Sequence, residues 1–484
     1  MTPTNVQPLD RGAWLTLSEQ LVQRLRGQLH LLHSDDDRER IVAGALAELC
    51  RESSAAERAL ATEEARQAFL QQFLSYDVIE EFLRDPTVED IMINSTEPIF
   101  VHRTHDGLVK TDRQFASQRE LALFMQKLVV FAGRRSLEAI NDLELADIRG
   151  RANIALSPFG PQITITRAKE RPLTILQLIE AGTLTYELAA QLWLYAEGLS
   201  IRPANLIIAG GPGAGKTTLM NALLSFIPPK DRLVVIEDTL ELNTHFLENC
   251  SRLESSAQIT LQTLVKNSLR MRPDRVLVGE VRGAEAQDMM TAINIGKFCW
   301  GTVHASSARE TVLRMQHEPM RIPEALLNLV DVFIVLRRFH VHGRVWRAVT
   351  DLVETSGLEQ KMLLLSTVWA YDYKRRECVP VLPSSVYRDR LAQAAGLSPL
   401  QVIEERERRV QVLRLMHARP ALRDMTALTR LCQLYVSDQE AALKQLGTTR
   451  ELLDSQIKML HDMDKGEQKQ REDIAKDDPN EQNG

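Results

Sequence analysis

Apolar positions recur every three to four residues near the start of the chain, at Leu17, Leu21, Val22, Leu25, Leu29 and Leu32. That spacing predicts an amphipathic helix, interrupted by the charged run Asp35-Asp36-Asp37-Arg38. A second periodic stretch, rich in Ala, Glu and Arg, spans Ala45 to Phe73. Residues 1–75 therefore read as an N-terminal helical region, either a packed helical pair or a platform for a partner. From Pro86 to Thr166 the texture shortens. Ile91-Met92-Ile93-Asn94, Ile99-Phe100-Val101-His102 and Ile163-Thr164-Ile165-Thr166 read as strands, His105-Asp106-Gly107 as a turn, and Glu120 to Phe131 as a helix. The expectation is an α+β domain over residues 76–170, then a linker and helix over 171–200.

Beyond Leu206 the pattern changes again. Nearly continuous apolar runs at Leu206-Ile207-Ile208-Ala209, Leu233-Val234-Val235-Ile236, Val276-Leu277-Val278 and Val332-Phe333-Ile334-Val335 alternate with helical stretches. Strands this apolar suit a sheet covered on both faces, so an α/β domain with a mostly parallel sheet is expected over residues 201–350. Leu391 to Met416 and Met425 to Leu453 read as helices, giving a mainly helical region over 351–460. From Asp462 to Gly484 aromatics and most aliphatics vanish, and residues 461–484 read as a disordered tail.

Composition narrows the class. A chain of 484 residues, 44% hydrophobic and 26% charged, has room for two to four ordinary domains. Its net charge of -6 argues against a globally basic nucleic-acid binder, and nucleic acid is not an expected partner. Five scattered cysteines form no CxxC pair, which points to a reduced compartment rather than a zinc or redox site. The start Met1-Thr2-Pro3-Thr4 shows no signal-peptide pattern, and the most apolar segment, Ala325 to Leu336, is too short to cross a bilayer. A membrane role would be peripheral.

The strongest chemical signal is Gly210-Gly211-Pro212-Gly213-Ala214-Gly215-Lys216-Thr217-Thr218, set between an apolar strand and a helix. Glycines let such a loop turn its amides inward around a phosphate, and the following helix aims its N-terminus at the anion. Lys216 is expected to reach the β- and γ-phosphates of ATP, and Thr217 to coordinate Mg²⁺. Sixty-four residues on, Arg275-Val276-Leu277-Val278-Gly279-Glu280 supplies a strand ending in a carboxylate that can orient water. Glu237, Asp238 and Glu241 follow another strand. Buried acids there need a metal or a base, so Glu237 or Asp238 joins the magnesium–water network or, for Asp238, caps a helix. His304, in Gly301-Thr302-Val303-His304-Ala305, can contact a phosphate or serve the fold alone.

Together these runs resemble the secretion ATPase superfamily of type II and type IV secretion systems and type IV pili. Ser268 to Ala286 looks like the Walker B region of the branch that powers Flp/Tad pili and the archaellum. Ile236 to Leu242 is similar to that branch's acidic box, and Gly301 to Ala305 to its histidine box. The resemblance implies a RecA-like P-loop ATPase core after a smaller α+β domain, working as a hexameric ring of identical subunits. It implies that Glu280 is the catalytic glutamate and, with Thr217 and Asp238, serves the metal. Glu237, Asp238 and Glu241 would be the acidic box, and His304 the coupling histidine. Arg151 and Arg167 fit the arginines by which the preceding domain approaches the phosphates. The partner implied is an inner-membrane platform protein, with the ring peripheral on the cytoplasmic face. Alternatives are a nucleic-acid-translocating ATPase and an ATP-gated scaffold. One departure is Lys297-Phe298-Cys299-Trp300, where relatives carry a histidine and small residues.

Overall fold

The computed structural model describes residues 10–459 except 31–32, 105, 149, 168–171, 256–258, 342–343, 361 and 382–384. Expectations for the chain start, for His105 and for the tail after 460 lie outside the described residues. The chain forms two compact units, Met1–Glu170 with His340–Val345, and Arg171–Phe339 with Trp346–Gly484.

The first unit opens with helix Arg11–Leu25, which buries Leu17, Leu21, Val22 and Leu25 as the periodicity requires. The acidic run at residue 35 begins a new helix, Asp35–Glu52, capped by Ser34. Three carboxylates in its first turn suit the positive end of the helix dipole. The periodic stretch 45–73 is not one helix. Ser53 and Thr62 each accept an amide hydrogen bond as N-caps, dividing it into Asp35–Glu52, Ser54–Ala59 and Glu63–Leu74.

Strands β1 (Val88–Asn94), β2 (Phe100–Arg103), β3 (Gly107–Lys110), β4 (Ile140–Leu145), β5 (Gly150–Ser157) and β6 (Gly160–Arg167) form an antiparallel sheet, order β3-β2-β1-β6-β5-β4. Helix Gln118–Phe131, capped by Ser117, shares a core with these strands and the N-terminal helices.

In the second unit nine strands follow: β7 (Leu206–Gly210), β8 (Leu233–Glu237), β9 (Cys250–Glu254), β10 (Arg275–Val278), β11 (Phe298–Val303), β12 (Val332–Val341), β13 (Arg344–Glu359), β14 (Met362–Asp372) and β15 (Glu377–Pro380). Their order is β15-β14-β13-β12-β7-β11-β10-β8-β9. Pairings from β9 across to β12 are parallel, but β13–β14 and β14–β15 are antiparallel. The sheet is therefore mixed, which corrects the expected mostly parallel arrangement. The apolar runs mark only the block buried on both faces. Residues 344–359, 362–372 and 377–380, placed largely in a mainly helical region by sequence, are strands, and their apolar run Met362-Leu363-Leu364-Leu365 is exposed or half-buried rather than covered on both faces. Helices begin at Val386.

Alternation along the central strands sends Leu206, Ile208, Leu233 and Val235 into one core, and Ile207, Ala209, Val234 and Ile236 into another. The first core includes helices Tyr186–Glu197, Lys216–Leu223, Pro399–His417 and Met425–Ser437. The second includes Leu261–Ser268, Glu285–Asn294 and Ala308–Gln316. No helix among the described residues is long and apolar enough to cross a membrane.

Candidate functional site

Parallel register brings the candidate residues together. Val303 on β11 stands opposite Ala209 on β7, Val278 on β10 opposite Gly301, and Ile236 on β8 opposite Val278. The strands thus release their C-terminal residues at one end of the sheet, where open α/β sheets place ligands.

From β7, buried throughout, the chain enters the glycine loop. Gly213 and Gly215 adopt φ of +65° and +97°, a region that side-chain-bearing residues rarely enter. Gly211, Pro212 and Gly213 are exposed, Ala214 is buried, and Thr217 and Thr218 are half-buried on the first turn of helix Lys216–Leu223. No side chain caps that helix at Gly215, so its leading amides face outward as an anion site. Lys216 is 8% exposed. Its Nζ lies 3.1 Å and 3.2 Å from the carbonyls of Gly210 and Gly211, and 3.3 Å from His304 Nδ1. Burial lowers the Lys216 pKa, while Glu280 and Glu241 pull the other way.

His304 Nε2 stands 3.2 Å from Glu280 Oε1. The imidazole therefore spans Lys216 and Glu280, one ring nitrogen to each. Glu280 follows β10 through Gly279, whose amide donates to Ile236 and whose carbonyl accepts from Thr302 Oγ1 at 2.6 Å. These bonds tie the ends of β8, β10 and β11 together directly behind the carboxylate.

The three acids at and beyond the end of β8 diverge. Glu237, 2% exposed, accepts from the amides of Glu241 and Leu242 at 3.1 and 2.9 Å. Burial raises its carboxyl to about 7 against the pull of those amides and Arg252. Asp238 accepts from Ser255 Oγ at 2.6 Å and pairs with Arg282. No helix follows it for it to cap. Glu241 is exposed and acts on Lys216 through its charge.

Arg151 and Arg167 belong to the other unit. Arg151 is exposed on β5 opposite Glu144 and Thr166. Arg167 donates to the carbonyls of Phe82 and Asp85, at 3.3 and 2.8 Å, at the C-terminal end of the short helix Glu80–Arg84. Two arginines that no motif marks do reach the loop. Arg347 Nε donates to the Gly213 carbonyl at 2.9 Å, and Arg338 Nη1 lies 3.1 Å from where a Gly213 side chain would begin.

The Lys297–Trp300 departure occupies the first half of β11 and the residue before it, about 13 to 23 Å from His304 at strand rise. Its bulk is spent in the core. Trp300 Nε1 donates to Ala204 at 3.1 Å and the Cys299 amide to Asn205 at 2.9 Å.

Among the described residues, no cluster of three or more His, Cys, Asp or Glu side chains is arranged to hold a metal. Mg²⁺ in phosphoryl-transfer sites takes one or two protein oxygens plus those of the substrate and water. Thr217 at the helix start and the Glu280 carboxylate fit that sparse donor set. Asp238, turned to Ser255 and Arg282, fits only after releasing them.

Residues 74–339 match the family described as Type II/IV secretion system protein. An uncharacterized protein of Methanocaldococcus jannaschii is 31% identical over 380 residues, 74% of this chain and 68% of that protein. A putative conjugal transfer protein of Mycobacterium tuberculosis is 32% identical over 319 residues, covering 61% of this chain and 88% of its own. Among solved structures, the ATPase DotB of Yersinia pseudotuberculosis aligns with a TM-score of 0.43 at 16% identity, over 74% of this chain and 92% of that one. With a family match over more than half its length, and with a phosphate loop on an α/β sheet, the chain belongs to the type II/IV secretion system protein family.

Proposed function

We propose that this chain is the ATP-hydrolysing subunit of a ring-shaped motor that powers pilus-like filament assembly or type II/IV protein secretion, in the manner of the Flp/Tad and archaellum branch. The observation that carries the reading is the chain Lys216–His304–Glu280 at the mouth of the phosphate loop. The Lys216 ammonium lies against two loop carbonyls and His304. A triphosphate competes for that ammonium and for the amides that open helix Lys216–Leu223. Lys216 and the amides stabilise charge developing on the transferred phosphoryl group, and Glu280 positions the attacking water. Thr217 and Glu280 would hold Mg²⁺, which would supply Lewis-acid neutralisation of the phosphate charge. Once Lys216 turns to phosphate, its contact with His304 is released, so the imidazole carries nucleotide state towards Glu280.

Glu237 shapes its loop, while Asp238 and Glu241 complete the acidic surroundings. In a homohexamer, a neighbour's arginine would complete the charge. Arg151, exposed on β5, and Arg167, which serves the carbonyls of Phe82 and Asp85, are the two candidates. The proposed partner is an inner-membrane platform protein, met peripherally at the cytoplasmic face.

The test is Glu280→Gln. Purified wild-type protein should hydrolyse ATP with Mg²⁺. The variant should bind nucleotide with turnover at least about 100-fold lower, and cells carrying only the variant should fail to assemble filaments or secrete. Normal assembly with Glu280→Gln would leave only an ATP-gated scaffold. Nucleic-acid translocation is a second reading because relatives are described as conjugal transfer proteins. The basic run Lys374-Arg375-Arg376 favours it little. It lies on a turn held by Asp372, whose carboxylate accepts the amides of Lys374 and Arg375. DNA-stimulated turnover would decide for that reading.

A further inference from the structure

The phosphate loop has little of its own to hold it. Gly211, Pro212, Gly213, Ala214 and Gly215 offer no hydrogen-bonding side chain, and Pro212 lacks an N–H. Three glycines in five residues leave the backbone unusually free. Support comes from outside the loop, on the sheet extension. Arg347 on β13 donates Nε–H to the Gly213 carbonyl at 2.9 Å, and its Cδ passes 3.7 Å from where a Gly215 side chain would begin. Arg338 on β12 lays its guanidinium into the space a Gly213 side chain would fill, 3.1 Å from that point. Both guanidiniums stand at one corner of the loop, and both belong to the same unit as the loop. Arg151 and Arg167, the arginines marked by sequence, do not.

We propose that Arg338 and Arg347 are positioning residues that clamp the phosphate loop from within its own subunit, presetting Gly213 for a triphosphate and adding positive charge at its edge. The clamp accounts for glycine at 213 twice over, through the left-handed φ and through the guanidinium occupying the side-chain space. It also supplies donors that the side chains of this loop lack. A bond to the carbonyl fixes the peptide's orientation, which sets where the neighbouring amides aim. The inference rests on reading the loop as an ATP site, and the test separates the two.

Full-length wild type, Arg347→Ala, Arg347→Lys and Arg338→Ala are compared by titration with fluorescent N-methylanthraniloyl-ADP, by steady-state ATP hydrolysis, and by thermal melting without nucleotide. Arg347→Ala should weaken nucleotide binding and raise KM by about tenfold, as expected for losing one hydrogen bond from a charged donor, with a smaller change in kcat. Arg347→Lys, which keeps a cationic donor within reach of the carbonyl, should recover most of the affinity. Arg338→Ala should show a smaller loss in the same direction. Affinity for Arg347→Ala within about twofold of wild type overturns the clamp. So does an equal loss in the Ala and Lys variants together with lower nucleotide-free melting, because Arg347 would then serve the fold alone. A wild type that binds no nucleotide sinks the ATP reading itself.

Discussion

Replacing Arg409 by methionine removes a cation from the middle of the second unit while leaving an apolar side chain of comparable length. Arg409 Nη2 lies 2.7 Å from Glu197, with both side chains no more than 3% exposed, and its Nε lies 3.0 Å from Glu405. The guanidinium also covers Trp193, 4.9 Å from the ring centroid. Burial alone would lower the arginine's pKa, but Glu197 and Glu405 hold it charged and raise it. Without the cation, Glu405 keeps Arg408 at 2.7 Å and Tyr435 at 3.1 Å. Among the described residues Glu197 keeps the Leu199 amide and the Ser200 hydroxyl.

Stranding one buried charge costs about 3–5 kcal/mol, which is a large share of a domain's stability. Adding Glu197→Gln removes the stranded charge, so the double variant should be about 2 kcal/mol more stable than the sum of the single losses. Urea melts followed by tryptophan fluorescence report this region, since Trp193 and Trp300 are fully buried in it. An Arg409→Met protein within about 1 kcal/mol of wild type at pH 8, or strictly additive losses, would refute the reasoning.

Three further outcomes follow from the site. Glu237 holds its proton more tightly folded, near pH 7, than at its ordinary value of 4.5. Its contribution is therefore fullest at low pH and is lost as pH rises through 7. Between pH 5 and 8, Glu237→Gln should gain about 2.5 kcal/mol on wild type in metal-free urea melts, and a pH-independent difference would count against this. At Gly279 a methyl group would begin 2.8 Å from Glu237 Cγ, on a side chain pinned by two amides. Gly279→Ala should therefore cost about 1–3 kcal/mol, and an unchanged melt would disprove the close contact. His304→Ala should lower ATP turnover by about tenfold to a hundredfold with nucleotide binding nearly intact; lost binding with normal turnover would place the histidine elsewhere in the cycle.

The parts of the fold that could be read in advance are those where one physical demand dominates. Strands buried on both faces must be apolar throughout, so β7, β8, β10 and β12 announce themselves. A phosphate loop needs its glycines at set intervals, and Gly213 and Gly215 take the backbone angles that only glycine adopts cheaply. The meeting of Lys216, His304 and Glu280 could be expected from their places just beyond parallel strands. Strands β13 to β15 hid because a half-exposed apolar run such as Met362-Leu363-Leu364-Leu365 does not by its periodicity separate strand from helix. The stretch 45–73 is helical as its period suggests, and Ser53 and Thr62 set the breaks within it by capping new helices. Arg338 and Arg347 had no signal at all. Their role comes from strand pairing, which no local spacing of arginines reveals.

That same pairing bears on how work could leave the site. Ala214, Leu219 and Met220, from the phosphate loop and its helix, share one core with Leu428, Leu431 and Tyr435 from the C-terminal helices. The turn Leu224–Phe226 that ends the loop's helix presents Phe226 to Trp193, stacked at 4.9 Å, and Trp193 in turn meets Tyr435 at 5.2 Å. Gln433 then bonds the Ile227 carbonyl at 3.2 Å. A core packed at crystal-like density has no slack to absorb a shift of its central helix. When nucleotide draws the loop, helix Lys216–Leu223 must either carry Met425–Ser437 with it or give up these aromatic contacts. Carrying it would conserve the packing, so under the proposed motor reading the C-terminal helices would move with the phosphate loop's helix.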